Sequence, residues 1–143
     1  MNPWIRTMNL RTTEYPMWVA NRKIGLDQIL EDLRPLKILR WRITDLEAVG
    51  RGAVGLSILE LEHRAEAGIE LDSTAMWELA SGLEDLNEIE MTGLDSEGAE
   101  FAAVRGEDSS RWVISLPPTA ALQVTAALRQ RFEPPEEVPI SGA

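Results

Sequence analysis

The spacing of hydrophobic residues along the chain predicts four amphipathic helices. Apolar residues recur three and four positions apart in each of these segments, which is the spacing of one helix face. Residues 54–67 also allow a strand interpretation, but their helix-forming composition and the following Gly68 favour a helix. The predicted helices cover residues 26–33, 54–67, 73–87 and 117–132.

A different pattern, alternation of apolar and polar residues, predicts strands. Residues 37–46 place Leu39, Trp41 and Ile43 on one side of a strand and basic residues on the other. Three further segments follow one another with short polar turns between them, which is typical of a β-meander. In these strands we expect Phe101 to share the side of Ala103. The meander strands cover residues 88–94, 99–105 and 111–116.

Together these elements predict an α+β fold. We expect a mostly antiparallel sheet, formed by one strand near residues 37–46 and the meander near 88–116, with about four helices packed on one face. Residues 1–24 are expected to form an extended segment that packs on the domain, with short edge strands at most because of Pro16. Residues 25–132 form the predicted single domain, and residues 133–143 a mobile tail rich in Pro and Glu.

Charge is distributed unevenly along the 143 residues. The formal net charge is −10, yet residues 1–42 hold eight of the 14 Lys and Arg side chains. Residues 65–104 hold eleven acidic side chains and no basic one. This excess of carboxylates disfavours binding to nucleic-acid phosphates and to anionic membranes. It favours a basic protein as the partner.

The composition also restricts the possible chemistry. The chain has no cysteine and one histidine, His63, which excludes thiolate catalysis and leaves zinc without enough ligands. Residues 50–55 spell G-x-G-x-x-G, but the predicted elements lack the parallel βαβ unit of a dinucleotide site. We therefore expect no cofactor and no enzymatic activity. No apolar run is long enough to span a bilayer and no secretory signal is evident, so we expect a cytoplasmic protein.

One group of carboxylates suggests a weak calcium site. Asp95, Glu97 and Glu100 lie close together in the sequence, and calcium prefers clustered carboxylates. The spacing does not match an EF-hand, because Gly106 stands where the bidentate Glu would be required. An acidic turn is the simpler interpretation, and we expect no metal.

A second group of carboxylates is the candidate partner-binding site. Four of them are expected to form a ridge where the helix of residues 73–87 meets the next strand, and two more form the outer end of that ridge. Trp77 is a candidate anchor beside them, as are Trp4 and Trp18, since exposed tryptophans often dominate interfaces. The carboxylates of the predicted ridge are Glu84, Asp85, Glu88, Glu90, Asp95 and Glu97.

These features predict a small, acidic, non-enzymatic protein-binding domain. The favoured class is an inhibitor, resembling immunity proteins, antitoxins or nucleic-acid mimics, that masks a basic partner through a carboxylate-rich face. A secretion chaperone or adaptor that binds a partner segment in an apolar groove is an alternative, and it would be expected to dimerise. An enzyme of an unrecognised type is the other alternative.

Overall fold

A computed structural model describes residues 15–108 and 110–135. Within that part of the chain, four α-helices accompany a six-stranded antiparallel sheet, which confirms the predicted α+β class. The strands are β1 (Met17–Ala20), β2 (Arg40–Gly50), β3 (Ile69–Asp72), β4 (Leu83–Leu94), β5 (Glu100–Glu107) and β6 (Arg111–Ser115). The helices are α1 (Leu26–Asp32), α2 (Ile58–Ala65), α3 (Ser73–Gly82) and α4 (Pro118–Leu128). The strands lie side by side in the order β1-β6-β5-β4-β2-β3.

Local hydrogen bonds fix where the helices begin. At α2, Ser57 and Glu60 form a capping box: each side chain accepts the backbone N–H of the other residue at 3.2 Å. At α3, the Asp72 side chain accepts the N–H of Ala75 at 2.8 Å. At α4, Pro118 occupies the first turn, where its missing N–H would have had no helical partner. The sequence therefore specifies these three starts locally.

The helices pack against one face of the sheet and form one hydrophobic core with it. Strand residues alternate between this core and the other face except at irregularities in β2 and β4, and the residues that point into the core include Trp41, Ile89 and Trp112. Trp112 fits because the facing strand carries Gly106: a Cβ at that position would lie 2.7 Å from the indole ring. The indole N–H donates to the carbonyl oxygen of Ile24 at 3.1 Å, so this buried polar group is satisfied.

Three details of the strands and helices differ from the sequence-based expectation. The helix α3 ends at Gly82, earlier than the predicted end at Asn87, because the following residues pair with β2 as the start of the long strand β4. Leu39 was expected in the core but precedes β2 and is 67% exposed. In β5 it is Ala102 and Val104 that are fully buried, whereas Phe101 is only half-buried.

The region before α1 forms a short edge strand, as expected of a chain that contains Pro16. Strand β1 pairs antiparallel with β6, and Trp18 is buried in the core rather than available as an interface anchor. The prediction for Trp4 lies outside the described residues, and so does the predicted mobile tail of residues 133–143 apart from residues 133–135, of which Glu133 pairs with Val19.

Candidate functional site

The face of the sheet that points away from the helices carries a group of carboxylates at one end. Strand pairing sets these side chains in rows. In one row, Glu47 of β2 lies opposite Glu88 of β4, and Glu88 lies opposite Glu107 of β5. In the adjacent row, Asp45 lies opposite Glu90. We call this group the acidic corner: Asp45, Glu47, Glu88, Glu90 and Glu107.

Arginines neutralise only one side of the acidic corner. The Nε atom of Arg105 lies 3.4 Å from Oε1 of Glu90 and 3.4 Å from Oε1 of Glu107. The Nη1 atom of Arg111 lies 3.9 Å from Oε1 of Glu107. On the β2 side, no Lys or Arg among the described residues forms an ion pair with Asp45, Glu47 or Glu88. Glu88 and its two neighbours on β2 are therefore the part of the corner that lacks a positive partner within the described chain.

The proton affinity of Glu88 reflects this crowding. A hydrogen bond with the Asp45 carboxyl, followed by the negative charge of that carboxyl, raises the pKa of Glu88 above its usual value. Glu47 and Glu107 contribute in the same direction. Glu47 also accepts a hydrogen bond from the side chain of Asn87 at 2.8 Å, which holds it beside Glu88. These carboxyl groups therefore interact unfavourably when all of them are charged.

The opposite end of the same sheet face also carries carboxylates, but there arginines stand between them. Arg42 contacts Glu70 of β3 at 3.2 Å and Glu100 of β5 at 3.7 Å. Arg40 contacts Glu70 as well, at 3.4 Å. Glu70 and Glu100 are consequently tied into the sheet. We call these four residues the bridged end: Arg40, Arg42, Glu70 and Glu100.

The residues of the predicted ridge are divided between different places. Glu88 and Glu90 belong to the acidic corner, whereas Glu84 and Asp85 lie exposed at the start of β4, further along the same strand. Since α3 ends at Gly82, all four lie in a strand rather than at a helix–strand junction.

The outer end of the predicted ridge lies far from the acidic corner. Asp95 and Glu97 follow the other end of β4, and Asp95 comes five residues after Glu90 of the acidic corner, or about 17 Å along an extended strand. The Asp95 carboxylate accepts the backbone N–H groups of Glu97 at 2.8 Å and Ala99 at 2.9 Å, so it shapes the turn. The six carboxylates of the predicted ridge therefore do not form one continuous surface.

The predicted anchor Trp77 is half-buried on α3. The guanidinium carbon of Arg34 lies 5.2 Å from the centre of its indole ring, which is a cation–π distance. Trp77 thus already has a partner within the molecule, although part of its ring stays accessible to solvent.

The carboxylates considered as a calcium site contact different parts of the structure. Asp95 bonds to its own turn, and Glu100 faces Arg42. In the part of the chain that the structure describes, no group of three or more His, Asp or Glu side chains is arranged to hold a metal ion. His63 is 85% exposed on α2, and its Nδ1 atom lies 3.4 Å from Glu66.

Sequence reasoning missed three members of the acidic corner, namely Asp45, Glu47 and Glu107. A signal was present: acidic residues stand two positions apart in Asp45-Leu46-Glu47 and Glu88-Ile89-Glu90, and Arg105 and Glu107 repeat that spacing. Bringing these pairs together requires the pairing register of three strands. That register includes an irregularity between Ile43 and Asp45, which sequence periodicity does not reveal.

A separate buried ion pair has a structural role. Asp32 of α1 is 6% exposed and faces Arg131, whose Nη1 atom lies 3.4 Å from Oδ1 of Asp32. Burial raises the pKa of Asp32, and the positive charge of Arg131 opposes that shift. This pair joins α1 to the segment after α4 and lies in the helical layer, away from the acidic corner.

None of the helices formed by the described residues has both the length and the hydrophobicity needed to cross a membrane. In comparisons with protein-family models, with curated proteins and with solved structures, nothing matches this chain.

Proposed function

We propose that the protein is a small, acidic, non-catalytic binding domain whose acidic corner engages a basic surface of a partner protein. Its action would be to mask that surface, as an inhibitor of the immunity or antitoxin type or a nucleic-acid mimic does. The proposal rests on the placement of charge rather than on the net charge of −10, which by itself would serve solubility equally well.

The observation that carries the proposal is the row formed by Glu47, Glu88 and Glu107. Like charges directly opposite each other on neighbouring strands destabilise a sheet. Here three of them follow one another across three strands, and Asp45 stands beside the middle one. A fold that only needed solubility would gain nothing from this arrangement. A partner's Lys or Arg over Glu88 would relieve the repulsion.

The row of carboxylates is long enough to contact a cluster of Lys or Arg side chains on a partner. Neighbouring strands lie about 4.8 Å apart, so the carboxylates of the row are spread over about 10 Å. The raised pKa of Glu88 supports the proposal, because it reflects the unfavourable interaction that a bound cation would remove. Such an interface gives fast association that weakens with salt.

Reversing charge at the centre of the acidic corner tests the proposal. In the double variant Glu47→Lys/Glu88→Lys, lysines replace two of the three carboxylates of the acidic corner that lack an arginine partner among the described residues. The wild type, used for affinity capture from the native host's lysate, is expected to retain a basic protein at about 0.1 M salt and release it at about 1 M. For the double variant we expect at least about 100-fold weaker binding of that protein.

A matched variant separates position from net charge. Glu66→Lys/Glu97→Lys changes the net charge by the same amount at two exposed residues outside the acidic corner. It should capture the partner as the wild type does. Equal loss in both variants would mean that only net charge matters, and undiminished capture by Glu47→Lys/Glu88→Lys would contradict the proposal. Circular dichroism would verify that each variant is folded.

A further inference from the structure

The two edge strands of the sheet, β1 and β3, differ in the backbone hydrogen bonds on their outer sides. Along β1, the backbone N–H and C=O of Val19 both bond to Glu133, at 3.2 and 2.7 Å, so that edge is covered at its centre. Strand β3 forms the other edge. Among residues 15–108 and 110–135, no further strand or loop forms backbone hydrogen bonds with the outer side of β3.

The pairing of β3 with β2 shows which backbone groups face outward. The N–H of Ser73 donates to the carbonyl of Leu39 at 2.9 Å, and hydrogen-bonded positions alternate along an antiparallel strand. Leu71 and Ile69 therefore bond to β2. The N–H and C=O of Glu70 and the N–H of Asp72 point to the open side, where an added strand would find them.

A cavity of about 480 Å³ lies along this open side. Its lining includes Glu70 from the outward face of the sheet and Leu71 from the core face, so it lies beside β3 in the plane of the sheet. Leu56 and Ala75 supply apolar walls. A further strand added to β3 would lie on this side, about 4.8 Å from β3.

The rim of the cavity holds a valine in an unfavourable backbone conformation. Val54 has φ 48° and Gly55 has φ 76°, and the backbone of Ala53 bonds to that of Leu56 in both directions across this tight turn. A β-branched residue rarely adopts a positive φ, and such strain tends to occur at functional positions. The Val54 side chain is nevertheless 54% exposed, at the mouth of the cavity. Its value to the protein therefore does not come from burial in the core.

An arginine without an ion-pair partner in the described chain also lines the cavity. Arg64 stands in the last turn of α2, and no Asp or Glu of the described residues lies within ion-pair distance of it. By contrast, Arg40, which also lines the cavity, already contacts Glu70. The Arg64 guanidinium is thus the group in the cavity best suited to receive a carboxylate.

We propose that the open edge of β3 binds an extended peptide segment of another protein, which adds to the sheet as a further strand. The backbone of Glu70 and Asp72 would hydrogen-bond the segment, Val54 and Leu56 would contact an apolar side chain, and Arg64 would pair with an Asp or Glu side chain of the peptide. This is peptide recognition by strand addition. It is independent of the acidic corner, which lies on β2, β4 and β5.

A second copy of this chain fits the edge less well. The residues whose backbone groups face outward are the two acidic ones, Glu70 and Asp72. Pairing β3 with another β3 centred on Leu71 would set Glu70 of each copy opposite Asp72 of the other, which is unfavourable to the extent that Arg40 and Arg42 do not neutralise Glu70. A foreign segment with a carboxylate placed for Arg64 avoids that repulsion.

The test uses two libraries of capped seven-residue peptides, one with Glu fixed at the centre and one with Gln, and all other positions varied. Binders are titrated into the ¹⁵N-labelled protein. We expect the backbone amides of Glu70 and Asp72 to shift and to gain protection from hydrogen exchange. Replacing the central Glu of a binder by Gln should weaken binding about tenfold. N-methylation of alternate backbone nitrogens should abolish it.

Three variants connect the binding to the named side chains. Arg64→Gln should remove the preference for Glu over Gln, whereas Arg129→Gln, which makes the same charge change after α4, should leave it intact. Val54→Asn should raise the melting temperature, because Asn tolerates a positive φ, yet weaken peptide binding about fivefold. A purely structural role for Val54 would leave binding unchanged.

Several results would overturn the proposal. One is the absence of any binder in either library at about 1 mM peptide, and another is binding that shifts amides elsewhere but not those of Glu70 and Asp72. Concentration-dependent dimerisation in sedimentation, with protection of the Glu70 amide in the absence of peptide, would assign the edge to a second copy instead.

Discussion

The two ends of the outward sheet face contain similar residues in different arrangements. At the bridged end, Arg40 and Arg42 stand between Glu70 and Glu100. At the acidic corner, five carboxylates meet two arginines, both on the β5–β6 side. Acidic residues thus stabilise one end and repel each other at the other. Position in the strand register, rather than the number of carboxylates, distinguishes a structural ion-pair network from a surface that is available to a cation.

The largest effect on stability is expected at the bridged end. Replacing Arg42 by Ala would leave Glu70 with only the exposed Arg40 and would leave Glu100 without this arginine. We expect the free energy of unfolding to fall by about 1 kcal/mol, since partly exposed ion pairs contribute little individually but Arg42 serves two. Urea denaturation at about 0.02 M salt measures this. A loss that stays the same at about 1 M salt would argue against an ionic cause.

Measuring the free energy of unfolding at several pH values tests whether the carboxylates of the acidic corner repel each other. The pKa of Glu88 is raised in the folded protein, so the folded state binds its proton more tightly than the unfolded state does. Stability from this group is therefore gained as the pH falls from neutral towards the ordinary glutamate pKa, and lost as the pH rises. The Glu88→Gln variant lacks this pH-dependent contribution to the free energy of unfolding.

Urea denaturation at several pH values tests this sign. The stability difference between Glu88→Gln and the wild type should be largest near pH 7 and shrink in mildly acidic buffer, where protonated Glu88 resembles Gln. A difference that is independent of pH would contradict the interpretation that carboxylate repulsion raises the pKa. Glu97→Gln, in the turn after β4, is the control.

The smallest expected effect is a change in melting temperature with salt concentration. Raising the salt concentration from about 0.02 to about 0.2 M screens the repulsion among Asp45, Glu47 and Glu88 and should raise the melting temperature slightly. The increase should be smaller in Glu88→Gln, because one of the repelling charges is gone. An equal increase in both proteins would place the salt effect elsewhere in the chain.

The fold class could be predicted from the sequence because hydrophobic periodicity is a local signal. The four helices and the meander each repeat at their own spacing, and the capping residues Ser57 and Asp72 add local starts. The end of α3 could not be predicted in this way. Leu83 continues the helical spacing of Leu79 and Ala80, but the chain leaves the helix at Gly82 to pair with β2, which is distant in sequence.

For the same reason, only two of the five residues of the acidic corner could be predicted from the sequence. Glu88 and Glu90 stood out because no basic residue is near them in the sequence. Asp45, Glu47 and Glu107 join them only through strand pairing. Likewise, nothing local indicates that Glu70 is neutralised by Arg42 from the neighbouring strand. Charge patterns along a chain therefore indicate candidates, and the register decides which of them remain without a partner.

The most direct test of the central claim compares Glu88→Gln with Glu70→Gln in urea denaturation at pH 7 and low salt. Each variant removes one negative charge from the same sheet face. We predict opposite signs: Glu88→Gln raises the free energy of unfolding by relieving repulsion, and Glu70→Gln lowers it by about 0.5 kcal/mol through the loss of its arginine contacts. If both variants were destabilised, or both stabilised, the two ends would not differ as described.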